Sequence, residues 1–383
     1  MSKHATSWRI RFVAGLALLL ASSIPASAKP IVVGKPVDLV LCLDVSNSMD
    51  GLIDSAKIKL WDIVNDFSKI KPTPELRVAL YSYGSPRYSA GAGFIRCELD
   101  LTNDLDEVYK RLNALRTYGG EEYVAGVAKA ALDELKWSAN PKALRLLFVC
   151  GNERADQDPR FKIADVARQA RRMDILINTI HCASAESGDD PLWKELARLA
   201  GGKGVNIDQN RNVLDKPIPT PHDDDLRKLS GELNKTYLAY GNDRLEAAKK
   251  QMDQDKAAEA AAPAAGAARS ASKASALYRN DAWDLVDRLK NDSKFQLKDL
   301  PEDQLPEELR KLSPEKREAA IQAKCKEREA LQARIQDLAA KREAFLRDAR
   351  AKEPKKSAEK AFDEALRELI REQAATRELV IPQ

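Results

Sequence analysis

Three oxygen-bearing side chains alternate in a short segment that directly follows an apolar run. The segment is DVSNS, and its Asp44, Ser46 and Ser48 offer one carboxylate and two hydroxyls at every second position. Side chains at alternate positions of a tight loop can face one point, and hard oxygen ligands suit a divalent cation such as Mg²⁺. The spacing therefore predicts a metal site for Mg²⁺, with Mn²⁺ and Ca²⁺ as the other candidate ions.

The same residue types also fit an interpretation without metal. Aspartate and serine favour Asx turns and the amino-terminal caps of helices, because their side-chain oxygens accept hydrogen bonds from nearby backbone amides. The two interpretations differ in what the side chains bind. In the first they converge on one point, and in the second they only tie up the backbone.

The segment belongs to a regular alternation of strand and helix patterns. Between residues 37 and 208, six short β-branched runs alternate with five longer runs that have apolar residues at spacings of three and four. This alternation predicts an α/β fold, with a mostly parallel sheet covered by helices on both faces. The connection SPRYS predicts a hairpin and one antiparallel edge. Asp44 lies at the carboxyl end of the first strand, where ligands gather in such sheets.

The segment DVSNSMDG, at the end of the first hydrophobic strand, resembles the metal-ion-dependent adhesion site of von Willebrand factor type A (VWA) domains. The resemblance covers about residues 29–210 and implies a Rossmann-like sheet with the metal on its upper edge. In that family two further loops also hold the metal. One usually gives a threonine or an acidic residue, and the other gives an aspartate.

The two further loops of this sequence depart from the common family pattern. The second reads RTYGGEEYVAG, and the resemblance assigns its ligand to Glu122, with Glu121 and Thr117 as alternatives. The third reads CGNERAD, where Asn152 would offer a carbonyl oxygen in place of the aspartate carboxylate. A GNE loop of this kind resembles a bacterial subgroup of exported VWA proteins.

Other polar residues fit packing or solvation better than chemistry. His181 and Cys182 are neighbours on a strand and so point to opposite faces, which separates a nucleophile from its base. Three acidic residues on a glycine-containing loop fit solvated charge, namely Glu186, Asp189 and Asp190. His222 fits a surface residue at a helix start. No nucleophile, base and oxyanion-binding group can be assembled, so the sequence does not predict an enzyme.

The part of the chain after the α/β pattern is predicted to be helical. We place the VWA domain at residues 29–212, a helical extension at 213–256, an alanine-rich linker at 257–277 and a helical, partly coiled-coil region at 278–383. The apolar residues at heptad spacing are Leu331, Ile335, Leu338 and Phe345, and the charged residues at other seam positions are Lys324, Arg328 and Arg342. This short seam favours a helical hairpin with AFDEALRELIREQ or a weak coiled coil, which could oligomerise the protein.

The first 28 residues have the layout of a cleaved secretory signal. Basic residues precede an apolar run from Phe12 to Ile24, and an AxA pattern follows at 26–28. The run is too short to span a bilayer comfortably, and no later segment has about 18 consecutive apolar residues. The sequence therefore predicts export to the periplasm or the cell exterior, without a membrane span.

The net charge bears on nucleic-acid binding, and the positions of the cysteines bear on disulfide formation. Discarding the signal with Lys3, Arg9 and Arg11 would reduce the 63 basic residues to 60, against 59 acidic residues. Nucleic acid is not a predicted partner, because binding it normally needs a clustered positive surface. The chain has five cysteines, and four of them lie in strand-like runs, which favours buried thiols over a disulfide.

Two function hypotheses follow. The leading one is an exported binding protein whose metal captures an acidic side chain of a partner protein, since few anionic ligands leave Mg²⁺ electron-poor. A direct bond from Glu122 to the metal would neutralise part of the metal's charge and lower the affinity for the partner. The alternative is a metal-free scaffold of the cell envelope that acts through its carboxyl-terminal helices.

Overall fold

Six strands form one sheet in the computed structural model, which describes residues 34–183, 188–207, 218–352 and 362–381. The strands are β1 (Pro36–Asp44), β2 (Glu75–Tyr83), β3 (Ile95–Thr102), β4 (Leu144–Gly151), β5 (Leu176–His181) and β6 (Gly204–Asn206). Their order is β3-β2-β1-β4-β5-β6, and every neighbouring pair is parallel except β2 and β3. The predicted parallel sheet with one antiparallel edge is confirmed. The predicted signal at residues 1–28 lies outside the described residues.

Helices cover both faces of the sheet. They are α1 (Asp50–Ser68), α2 (Leu105–Ala114), α3 (Val124–Glu134), α4 (Ile163–Arg172) and α5 (Asp190–Leu199). One core contains apolar residues of α1 and α2, and the core on the other face contains those of α3, α4 and α5. Every residue of β4 is buried, because its side chains meet helices on both sides.

The strand register brings the ends of three strands to one level. Asp44, the last residue of β1, pairs with Tyr83, the last residue of β2. On the other side of β1, Leu43 pairs with Cys150, so that Gly151 at the end of β4 follows at the level of Asp44. The loops after these strands therefore leave the same edge of the sheet.

Seven helices follow the sheet within the described part of the chain. They are α6 (Asp223–Asn234), α7 (Arg244–Ala261), α8 (Pro263–Lys273), α9 (Leu285–Asn291), α10 (Glu307–Arg310), α11 (Pro314–Lys352) and α12 (Phe362–Ala375). The prediction of a long helical region is confirmed, and α11 alone has 39 residues. In the described ranges, none of the helices is both long and apolar enough to cross a membrane.

The predicted linker at residues 257–277 was wrong. This interval contains the end of α7 and all of α8, which packs against α1, and residues of α8 such as Ala267 and Ala268 are buried. Small side chains let the helices approach closely. Arg269 fixes α8 further, because its guanidinium pairs with Asp106 of α2 at 2.7 Å and with Asp255 of α7 at 2.5 Å.

The heptad seam of α11 faces other helices of the same chain. Leu331 and Ile335 pack in one cluster with apolar residues of α6 and α8. Two of the three charged seam positions form buried ion pairs, Arg328 with Asp284 at 2.6 Å and Arg342 with Asp223 at 2.9 Å. Most of the seam is thus used within the chain.

The predicted hairpin would place α12 against α11, and in the structure α12 packs against α1. Leu366, Leu369 and Ile370 of α12 join the core that α1 forms with the sheet. Asp66 of α1 accepts a hydrogen bond from Nε of Arg367 at 2.6 Å. The last described helix therefore completes the core beside the sheet.

We predict that Ile370→Ala lowers the free energy of unfolding by about 2–5 kcal/mol, as deletion of a buried aliphatic side chain does. Ile370 is 1% exposed and contributes to the core of the sheet, so that urea unfolding should remain a single transition. Leu245→Ala is the control, because Leu245 is 78% exposed, and it should change stability by less than about 0.5 kcal/mol. A separate, earlier transition of the helical region would contradict this packing.

Candidate metal centre

The two carboxylate oxygens of Asp44, in the loop after β1, have different surroundings. Oδ1 of Asp44 accepts a hydrogen bond from the backbone N–H of Ser46 at 2.7 Å, as the metal-free interpretation expects. Oδ2 of the same carboxylate is buried and has no hydrogen-bond partner. The hydroxyls of Ser46 and Ser48 lie 3.0 Å apart, with Ser48 exposed at the start of the short 3₁₀ turn that leads to α1. The turn thus leaves one carboxylate oxygen and two hydroxyls close together.

Glu122 reaches Asp44 from the segment that precedes α3. Both side chains contact the space beside Gly84, where an added Cβ would lie 2.8 Å from Cγ of Glu122 and 3.0 Å from Oδ1 of Asp44. Gly84 also has a φ of +85°, which other residues rarely adopt. A glycine at the end of β2 therefore allows two acidic side chains to share one buried space.

The other candidates of the second loop are placed differently. The hydroxyl of Thr117 donates a hydrogen bond to Oδ1 of Asp50, at the start of α1. Glu121 is exposed, whereas Glu122 is only 8% exposed. Of the three residues, Glu122 is the one that lies against Asp44.

Burial makes both carboxyl groups hard to ionise. It raises the pKa of Asp44 to about 7, although the hydrogen bond from the Ser46 backbone opposes the shift. Burial and then the charge of Asp44 raise the pKa of Glu122 to about 8. The carboxylate of Glu153 adds to both shifts. A cation between the two groups would remove this cost of ionisation.

The third loop brings Asn152 to the same edge. Its Oδ1 is buried without a hydrogen-bond partner. The preceding Gly151 has no room for a side chain, because an added Cβ would lie 2.4 Å from Oη of Tyr83 and 3.1 Å from Oδ2 of Asp44. Tyr83 is itself held in place by the hydrogen bond that it donates to the carbonyl of Cys150 at 2.9 Å.

These residues fit a hard divalent cation. No cluster of three His, Cys, Asp or Glu residues suited to a metal occurs among the described residues. The set here combines two carboxylates with hydroxyls and an amide, which are oxygen donors of the kind that Mg²⁺ and Ca²⁺ take. Two of its oxygens, on Asp44 and Asn152, are buried and unpartnered, so that they lack a donor or a cation.

Sequence reasoning missed the roles of Gly84, Tyr83 and Glu153. Tyr83 ends β2 and Gly84 follows it beside the two carboxylates, whereas Glu153 is exposed and acts through its charge. The strand register was the available signal for β2, because parallel neighbours end at the same level. The charge of Glu153 could not be placed without the path of the third loop.

The residues that the sequence set aside contact side chains other than the two carboxylates. His181 stacks on Trp193 with ring centroids 5.4 Å apart, and Cys182 packs in the core on the other face, which confirms their predicted separation. Asp189 lies 3.5 Å from the guanidinium of Arg154, and Asp190 pairs with Lys194. Glu186 lies outside the described residues. The five cysteines are free thiols, namely Cys42, Cys97, Cys150, Cys182 and Cys325.

The model of the von Willebrand factor type A domain family matches residues 38–216. These residues form a VWA domain. The family is known for protein–protein interaction, often through a metal site, and its domains are generally interaction modules rather than enzymes. No curated protein matches the chain.

Solved structures show weak likeness to part of this chain. Proximal thread matrix protein 1 from the mussel byssus, with a zinc-occupied MIDAS motif, has 12% identity and a TM-score of 0.35 over 45% of this chain and 41% of its own. A von Willebrand factor type A protein from Catenulispora acidiphila has the same identity and TM-score over 45% of this chain and 38% of its own. The SpRpn10 VWA domain has 15% identity and a TM-score of 0.34 over 45% of this chain and 89% of its own. The chain covers about two fifths of the first two structures.

We predict that the metal-free protein loses stability as the pH rises from about 4 to 8. In the unfolded chain Asp44 and Glu122 lose their protons near pH 4, whereas in the fold they keep them to about pH 7 and 8. The folded state then binds more protons, so that the free energy of unfolding falls with rising pH. Thermal unfolding in chelator between pH 5 and 9 measures this slope.

The matched variant is Asp44→Asn, which keeps the acceptor for the Ser46 amide and removes the charge. It should be more stable than the parent in chelator at pH 8 and should gain less from added Mg²⁺. Equal pH slopes for parent and variant would contradict the assignment of a raised pKa to Asp44.

Proposed function

We propose that the VWA domain binds a partner protein through a divalent cation, with Mg²⁺ as the first candidate and Mn²⁺ or Ca²⁺ as alternatives. Asp44, Ser46, Ser48, Glu122 and Asn152 would hold the ion. When bound, the ion supplies an electron-poor position that attracts a carboxylate of the partner. The observation that carries the proposal is the buried, unpartnered Oδ2 of Asp44 beside Glu122.

The chain's own residues set the charge and the access of this site. Asp44 and Glu122 are the two buried carboxylates, while the two serines and Asn152 are neutral donors. Ser48 is exposed, so that a partner can approach from the side of the loop after β1. The exposed carboxylate of Glu153 lies near enough to act on both buried groups and would oppose an acid that approaches from its side.

The alternative is a metal-free scaffold of the cell envelope. It is favoured by the hydrogen bond from the Ser46 amide to Asp44, which ties the aspartate to the backbone without metal. In either case we propose export to the periplasm or the cell exterior, on the basis of the first 28 residues of the sequence. Assembly through the carboxyl-terminal helices would need surfaces other than the α11 seam that packs within the chain.

Calorimetric titration with Mg²⁺ and Mn²⁺ separates the two functions. We expect a saturable binding heat in the parent protein and none in Asp44→Ala, because the variant lacks the central carboxylate. A chelator should then release the partner from the parent in a pull-down from envelope extract. An absence of heat in a folded parent protein would favour the scaffold.

We predict that Asn152→Asp raises the affinity for Mg²⁺ by about tenfold, because an added anionic ligand strengthens the binding of a hard cation. In chelator at pH 8 the same variant should be less stable than the parent, since a third carboxylate joins Asp44 and Glu122. Asn140→Asp is the control, since Asn140 is exposed on the turn before β4, and it should leave the titration unchanged. An unaltered Mg²⁺ affinity in Asn152→Asp would remove Asn152 from the ligand set.

A further inference from the structure

We propose that the guanidinium of Arg87 is a second anchoring point for the partner, and that the partner segment presents two acidic side chains. One would go to the metal and the other to Arg87. This inference rests on the proposed function, because the first of these acids is the one that the metal would take.

The loop that carries Arg87 begins at the carboxylate pair. Arg87 lies three residues after Gly84, between β2 and β3. A Cβ added at Gly84 would collide with both Asp44 and Glu122, so Gly84 lies directly beside them. The turn is ordered by Ser85, a buried residue whose hydroxyl accepts a hydrogen bond from the backbone N–H of Arg87 at 3.3 Å. Arg87 therefore projects from a fixed turn next to the candidate metal centre.

The opposite side of this turn is formed by the second loop of the site. The backbone N–H of Tyr118 donates to the carbonyl of Val45 at 2.7 Å, which fixes Tyr118 beside the loop after β1. The two loops meet at Gly120, where an added Cβ would lie 2.7 Å from the carbonyl oxygen of Gly84. Glycine at this position lets the two backbones approach each other, because a side chain there would collide with the loop of Arg87.

Arg87 is held in place by Tyr118 and keeps free donors. Its Cζ lies 3.6 Å from the centroid of the Tyr118 ring, and Nη1 donates a hydrogen bond to Oη of Tyr118 at 2.7 Å. Within the described ranges no carboxylate pairs with Arg87, although its side chain is exposed. Nε and Nη2 remain available as a fork, which matches the two oxygens of a carboxylate.

The charges around the site direct the second acid toward Arg87. On the third loop, Arg154 is neutralised by Asp156 at 2.9 Å. The exposed carboxylates of Glu121 and Glu153 would repel a partner acid that approached them. An exposed arginine without a carboxylate of its own is the complementary feature, because it attracts the acid and restricts how the partner segment can lie.

Display of short random-sequence peptides tests the inference on the full chain. Peptides are selected on the parent protein in Mg²⁺ and recovered with chelator. We expect recovered sequences to carry two acidic residues, and sequences selected on Arg87→Ala to carry one. Recovered peptides should bind Arg87→Ala about fivefold more weakly than the parent, as loss of an exposed ion pair predicts. Arg87→Lys should fall between them, because lysine offers no fork.

Two controls separate this role from a structural one. Arg96 also stacks on a tyrosine, with Cζ 4.4 Å from the ring centroid of Tyr88, but it is paired with Glu98 at 2.6 Å, so that Arg96→Ala should leave peptide affinity unchanged. Arg87→Ala should bind Mg²⁺ with the same heat as the parent. Equal peptide affinities of the parent and Arg87→Ala, with chelator release intact, would overturn the second anchoring point alone. A parent protein that yields no chelator-released peptides would overturn the metal-dependent function and this inference together.

Discussion

The burial of two neighbouring carboxyl groups is the constraint on which the candidate site depends. Asp44 and Glu122 lie against the same glycine. Burial raises the pKa of Asp44 to about 7, and burial together with the charge of Asp44 raises the pKa of Glu122 to about 8. Ionisation of two buried carboxyl groups lowers the stability of the folded state unless a positive charge compensates them. Protons relieve the cost at low pH, and a divalent cation would relieve it at higher pH. Under the proposed function, the site would therefore release protons when it binds a divalent cation.

Backbone geometry is what keeps the two groups together. The parallel register ends β1, β2 and β4 at one level, and glycine closes or follows the two strands that flank β1. A side chain at Gly84 or Gly151 would collide with the atoms of the site. The loop after β1 adds a turn in which one oxygen of Asp44 binds the backbone while the other stays free. The strands thus position the loops of the site, and the glycines leave room for the acidic side chains.

The sequence predicted the sheet and the loop after β1 because both are local patterns. Alternating strand and helix periods determine the layers, and the spacing of Asp44, Ser46 and Ser48 lies within five residues. The choice between Glu121 and Glu122 is different, since adjacent residues have the same chemistry and only the fold decides which one is buried. The linker prediction for the alanine-rich interval failed for a related reason. Its composition fits a linker, and only the facing surface of α1 turns it into a buried helix.

The helical region is better described as part of the core than as a tether. Packing of α8 and α12 along α1 joins this region to the helix that starts directly after the loop of Asp44. Its last contacts reach the opposite end of the sheet, where Lys35, just before β1, binds the carbonyl of Arg377 at 2.6 Å. The nine residues of β1 separate that end from Asp44 by about 30 Å. The last contacts of the described chain thus lie away from the loops around Asp44 and Arg87, which form the edge that the proposed function assigns to a partner.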